Sequence, residues 1–202
     1  MDDDTGSDPV PRRRGTDTRR RAQRAALALF TEQGYEATSM RQIADELGIN
    51  KASLYHHFAN KEAILQSLFD QRGTEAADLL TWLRVQPPRP GLLEEAVLRW
   101  VATFSSEKLA AIRFMTANPL LVRRLADSRG DRVGAPLTEI VEELAARLPG
   151  DDAEGPVLVR MAILSINAAV QAAAQTAVAD ADVIAAARRA ARALVREVGD
   201  VR

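Results

Sequence analysis

The chain contains no cysteine, and only 4% of its residues are aromatic. Without thiols it forms no disulfide, carries no thiolate nucleophile and cannot build a Cys-based zinc site. No apolar run approaches the roughly 18 residues of a membrane span. The Asp- and Arg-rich start lacks the apolar stretch of a secretory signal, so a cytoplasmic protein with no membrane partner is expected. A β-rich pattern is also missing, and 47% hydrophobic residues with so few rings suggest helices around an aliphatic core. The 202 residues suffice for one large or two small domains.

Catalytic signatures are equally scarce. No nucleophile with a positioned base, phosphate-cradling loop or paired-carboxylate site stands out, so neither an enzyme nor a cofactor is expected. The adjacent His56 and His57 invite a metal proposal. Neighbours on a helix point about 100° apart, however, and no Asp, Glu or Cys accompanies them at ligand spacing, so no metal is expected.

What is present is a pair of short capped helices between Thr38 and Ala63. Ser39 suits a helix N-cap, with Gln42 three residues on to reach back in a capping box. Gly48 suits the left-handed position that ends the helix. Asn50 then caps a second helix, on which Leu54 and Phe58 share a buried face with Ile43, Ala44 and Leu47. The opposite face carries Lys51, Ser53, Tyr55, His56 and His57, donors or mixed donor-acceptors with no acid among them. Such a face suits the acceptor-rich major groove of double-stranded DNA. Asn60 caps a further helix that opens on Lys61, a cation placed to meet the phosphate backbone.

The net charge of −1 hides an uneven distribution. Asp2, Asp3, Asp4 and Asp8 precede Arg12, Arg13, Arg14, Arg19, Arg20, Arg21 and Arg24, and basic residues outnumber acidic ones from Arg12 to Asn60. Phosphate neutralisation by such groups makes DNA binding fall steeply with salt.

The run Gly48-Ile49-Asn50-Lys51-Ala52-Ser53-Leu54-Tyr55-His56-His57-Phe58-Ala59-Asn60-Lys61-Glu62 resembles the tetracycline-repressor (TetR) family of bacterial regulators. The likeness extends back through Ala26-Leu27-Ala28-Leu29-Phe30 to Ser39 and covers roughly the first third of the chain. Asn50 stands where the family usually has Ser, and Ala52 where it has Gly. The resemblance implies base contacts from Arg41 and Lys51, a weaker polar contact from Ser53, phosphate contacts from Tyr55, His57 and Lys61, and a role on DNA for Asn50 and His56.

The first helix is expected from about Thr16 to Gln33, ended by Gly34, with Ala22, Ala25, Ala26, Leu29 and Phe30 at helical spacing. A fourth helix runs from Lys61 past Gly73 to Leu83, and Gln86-Pro87-Pro88-Arg89-Pro90-Gly91 breaks the pattern. Further helices are expected near 92–105, 108–116, 120–126, 136–148, 156–179 and 182–198, with breaks at Asn118-Pro119, Ser128–Asp131 and Pro149–Gly155. The expected fold is all-α: an N-terminal three-helix helix-turn-helix DNA-binding domain (16–60) after a disordered acidic and basic arm (1–15). A linking helix joins it to a C-terminal helical bundle (61–202) with a ligand pocket and a dimer interface.

Beyond Gln71 no comparable motif occurs, so the expectations for this half rest on the resemblance. It implies a homodimer through the Ala-rich last two helices, presenting two reading helices to an inverted repeat. The same helices could instead pack only on their own bundle. It also implies a small-molecule effector, for which Trp100, Phe104, Phe114 and Met115 are candidate pocket walls and Asn118, Asn167 and Gln171 candidate polar anchors. The resulting reading is a ligand-responsive regulator, a repressor released by its effector. Two readings compete: a regulator whose bundle only dimerises, and a helical enzyme with a DNA-binding start.

Overall fold

The computed structural model describes residues 11–129, 134–148 and 153–198. The acidic residues Asp2, Asp3, Asp4 and Asp8, the glycine of the expected 128–131 break and the residues 149–152 of the next break lie outside the described residues. Among the described residues all regular structure is helical, in eleven helices. These are α1 (Pro11–Gln33), α2 (Met40–Leu47), α3 (Lys51–His57), α4 (Lys61–Arg84), α5 (Leu92–Ala102) and α6 (Ser106–Ala117), then α7 (Pro119–Arg129), α8 (Gly134–Ala145), α9 (Gly155–Ile163), α10 (Ser165–Ala172) and α11 (Asp180–Val198). No single helix among them is long and apolar enough to cross a membrane. The chain divides into two compact units, Met1–Ser67 and Leu68–Arg202, and the division falls inside α4.

In the first unit, Ala22, Ala26 and Phe30 of α1 are buried, as are Ile43 and Ala44 of α2, Leu54 and Phe58 around α3, and Ile64 of α4. Helix α1 begins at Pro11, ahead of the Thr16–Thr18 start expected from the sequence. Proline suits the first helical turn, because its φ is already set and its missing N–H would have had no intrahelical acceptor. Two buried polar groups satisfy each other: Gln23 Nε2 donates to Ser67 Oγ at 2.8 Å, and that hydroxyl donates to the Ile64 carbonyl at 2.6 Å.

In the second unit the rest of α4, α5, α6 and α8 to α11 pack around one core that includes Leu83, Leu93, Val97, Trp100, Leu144, Ile163 and Ala187, and α7 lies against α6. Helix α11 lies against α9, α10 and α5. Its Ala187 and Ala191 are fully buried, so small side chains bring these backbones close together.

One expectation fails here. The stretch 156–179 is not one helix: α9 and α10 meet at a 57° bend, and α10 ends at Ala172. The cause lies 63 residues away, where the Trp100 indole N–H donates to the Ile163 carbonyl at 3.1 Å. In an unbroken helix that carbonyl would accept from the amide of Asn167, which instead donates to Leu164 at 3.0 Å. A side-chain donor that takes over one rung of the ladder is a recognised source of a sharp kink.

Arg113 of α6 reaches Asp180 in the first turn of α11 at 2.5 Å. The hydrogen bond from Arg113, outweighing partial desolvation and aided by one from Ser106, holds the Asp180 carboxyl below its ordinary value of 3.8. A depressed carboxylate contributes stability above its unfolded value and loses it as pH falls through the folded one. Asp180→Asn is therefore expected to lower the melting temperature slightly at about pH 6. The gap from the unaltered protein should narrow as pH falls below about 4, which parallel thermal melts would check.

Candidate nucleic-acid interface

The local chemistry of α2 and α3 fixes the reading pair. Ser39 Oγ accepts from the Gln42 amide at 3.2 Å, and Gln42 Oε1 accepts from the Ser39 amide at 2.8 Å, so the capping box closes. Gly48, at φ 65°, ends α2 in the left-handed conformation that glycine adopts without strain. Asn50 Oδ1 accepts from the Ser53 amide at 2.7 Å, and Asn60 Oδ1 accepts from the Ala63 amide at 2.7 Å, which start α3 and α4.

Helix α3 is only seven residues long, and its faces are sharply divided. Leu54 is fully buried and Phe58 nearly so, whereas Lys51, Ala52, Tyr55 and His56 are exposed and Ser53 and His57 lie at the flanks. Lys51 Nζ stands 5.4 Å from the centre of the Tyr55 ring one turn on, and the His56 and His57 rings meet edge to face at 5.5 Å. Arg41 projects from α2 with 82% of its side chain exposed and a loose 3.8 Å pair to Asp45, which leaves its guanidinium able to turn outward. Asn50 has its carbonyl oxygen committed to the cap.

Lys61, expected to meet phosphate, has its ammonium engaged with backbone carbonyls of the protein itself. Its ammonium donates to the carbonyls of Tyr35 at 2.6 Å and Glu36 at 3.1 Å, and it sits 4.4 Å from the Tyr35 ring centre. Only 24% of the side chain is exposed. Lys61 is thus a cation that meets the carbonyls of the turn after Gly34.

Two further arginines, counted from the sequence only among the basic residues between Arg12 and Asn60, have specific partners. Arg19 donates to the His57 carbonyl at 3.2 Å and lies 4.4 Å over the Phe58 ring, while Arg21 donates to the Leu47 carbonyl at 3.2 Å. Each puts a cation at the C-terminal end of one helix of the reading pair, where the dipole favours it. The only signal in the sequence was their spacing on the polar side of α1.

A model of the family described as "Bacterial regulatory proteins, tetR family" matches residues 24–68, the segment from mid-α1 into α4. That segment is similar to the TetR family. Over 43 residues it is 54% identical to the HTH-type transcriptional repressor KstR2 of Mycobacterium tuberculosis, a match covering 21% of this chain and 22% of that one. Across the curated relatives KstR2 and UidR the matches span 21% to 34% of the relative's length. The likeness of fold reaches further than that of sequence. Mycobacterium smegmatis AmtR is similar with a TM-score of 0.60 at 26% identity, over 91% of this chain and 89% of that one. SmeT in its triclosan complex is similar in fold with a TM-score of 0.61 at 15% identity, over 90% of each chain. The family likeness in sequence is thus confined to the reading domain, while the likeness of fold extends over the second unit.

In that second unit the expected pocket residues are distributed unevenly. Trp100, Phe104 and Phe114 are buried, Met115 and Asn118 half-buried, and Asn167 and Gln171 exposed on α10. Asn118 Nδ2 donates to the Phe114 carbonyl at 2.8 Å, a local bond at the end of α6. Beside Trp100 and Phe104 stands a residue the sequence reading passed over: Arg72 of α4, whose guanidinium carbon is 4.2 Å and 4.0 Å from the two ring centres.

The placement of Lys51 and Lys61 predicts different defects on mutation. Lys51→Ala is expected to leave the melting temperature unchanged while weakening the preferred site by about 1–3 kcal/mol relative to other sequences. Lys61→Ala is expected to lower the melting temperature, by the loss of two hydrogen bonds worth about 1–3 kcal/mol together, and to weaken all sequences alike. Thermal melts and binding to specific and scrambled duplexes separate the two; an unchanged melt for Lys61→Ala would return that ammonium to the phosphates.

Proposed function

We propose that this chain is a ligand-responsive transcriptional repressor that binds an inverted-repeat operator as a homodimer and is released by a small-molecule effector. The observation that carries the reading is α3 itself. Leu54 and Phe58 anchor it inward, and an acid-free outward face bears Lys51, Tyr55 and His56, as insertion in a major groove requires. Arg41 and Lys51 read bases, with Ser53 adding a weaker contact, and Tyr55 and His57 hold phosphate. The repressor sense follows KstR2, which is named a repressor.

Dimer formation is supported by apolar side chains left outside on α9 and at the bend. Val157, Met161 and Leu164 are 57%, 49% and 37% exposed at a spacing of four and three residues, one continuous stripe. Paired with a second copy through the last helices, the stripe would leave water and present two reading helices. Met161→Glu is expected to turn the dimer into a monomer and to abolish operator binding, as sedimentation and duplex titration would register. The effector part of the reading draws on SmeT, a protein of similar fold known in complex with triclosan. Its physical form is a population shift, in which effector favours a dimer whose reading helices no longer fit the operator.

The decisive experiment is selection of bound sequences from a random duplex pool at two salt concentrations. Recovery of an inverted repeat supports the dimeric repressor; binding without a motif that vanishes in moderate salt reduces the protein to phosphate attraction and overturns the proposal.

A further inference from the structure

The second unit holds a largely buried cluster of charged side chains. Arg72 keeps only 12% of its side chain exposed, Glu75 20% and Lys108 21%. The single carboxylate is used at both oxygens: Glu75 Oε2 pairs with Arg72 Nη1, and Glu75 Oε1 accepts from Lys108 Nζ at 2.6 Å. Arg72 Nη1 also donates to Thr103 Oγ1 at 3.1 Å, and Lys108 Nζ donates to the Thr103 carbonyl. Two cations thus share one anion. Arg72 Nη2 is buried with no hydrogen-bond partner, one of only two such side-chain atoms among the described residues.

A buried guanidinium donor without an acceptor is costly, and burial lowers the affinity of Arg72 for its proton despite the compensation from Glu75. The group is nonetheless rigidly held. Trp100 and Phe104 flank it, and these rings meet edge to face at 5.5 Å. A guanidinium fixed between aromatic walls with one nitrogen unused is pre-organised for an oxyanion. An oxyanion would meet the unused guanidinium nitrogen with Lys108 beside it, and the aromatic surround matches an apolar body.

We propose that Arg72, with Lys108 beside it, reads the carboxylate of an effector that is an organic acid with an apolar body. The inference rests on the ligand-responsive reading above and names the chemistry of its effector.

The test uses the full-length protein with two probes, decanoate and 1-naphthoate, each against its neutral primary amide, and with decyl phosphate. Binding is read by melting temperature and by tryptophan fluorescence. The expected result is that at least one acid binds, its amide binds at least about tenfold more weakly, and Arg72→Gln and Arg72→Lys lose the acid by a similar factor. Circular dichroism verifies that the variants remain helical. The acid–amide comparison on the unaltered protein decides the matter even where a variant fails to fold. No binding by either acid, equal binding of acid and amide, tighter binding of decyl phosphate, or undiminished acid binding in folded Arg72→Gln would overturn the proposal. Operator titration separates it from the reading on which it rests. An acid that binds through Arg72 without releasing DNA sinks effector-driven release but leaves the site, whereas release by a neutral compound alone keeps the regulator and removes the anion site.

Discussion

Trp100→Ala is expected to destabilise the second unit by about 3–5 kcal/mol, and Trp100→Phe by about 1–3 kcal/mol. Trp100 is 2% exposed and serves three neighbours: its ring is packed by Arg72, its edge meets Phe104, and its N–H satisfies the Ile163 carbonyl at the α9–α10 bend. Alanine removes all three and opens a cavity in the core. Phenylalanine keeps most of the apolar volume and an aromatic face for Arg72 but strands a buried carbonyl, so its cost isolates the hydrogen bond. Urea titration at constant slope would measure both. A neutral Phe variant would mean that the Ile163 carbonyl finds another donor, and the account of the bend would then be wrong.

That bend shows why part of the fold could not be read from the sequence. The starts of α2, α3 and α4 are set by residues within three positions of the boundary, Ser39 with Gln42, Asn50 and Asn60, and so were legible. The split of 156–179 is set by an indole far along the chain, and nothing in the Ala-rich run itself signals it. The early start of α1 was missed for a different reason, because the Arg-rich stretch after Pro11 was read as an unstructured arm.

The same contrast holds for the candidate sites. The division of α3 into an inward Leu54–Phe58 side and an outward Lys51–Tyr55 side follows from helical periodicity alone. The destinations of long cationic side chains do not. Lys61 meets carbonyls 25 and 26 residues earlier, and Arg72 meets Thr103, Trp100 and Phe104 about 30 residues later. Such side chains span several positions in any direction, so a sequence shows that a cation is present but not which acceptor it reaches.

Leu54→Ala is expected to abolish sequence-specific DNA binding without altering any residue that faces the groove. Leu54 is fully buried and closes the core formed by Ile43, Ala44 and Phe58, and truncating a buried leucine costs about 2–5 kcal/mol. A seven-residue helix is far below the length that holds itself together in water, so α3 depends on this anchor for its very existence. Loss of the anchor therefore acts through population: the reading helix is formed less of the time, and affinity for the preferred site falls by the unformed fraction. Lys51→Ala should do the reverse, keeping the helix and losing the contact. Hydrogen exchange of the α3 amides together with duplex titration distinguishes these routes. Faster exchange and weaker binding are expected for Leu54→Ala, weaker binding alone for Lys51→Ala. If Leu54→Ala bound the preferred site at full strength, DNA would be read by some surface other than α3.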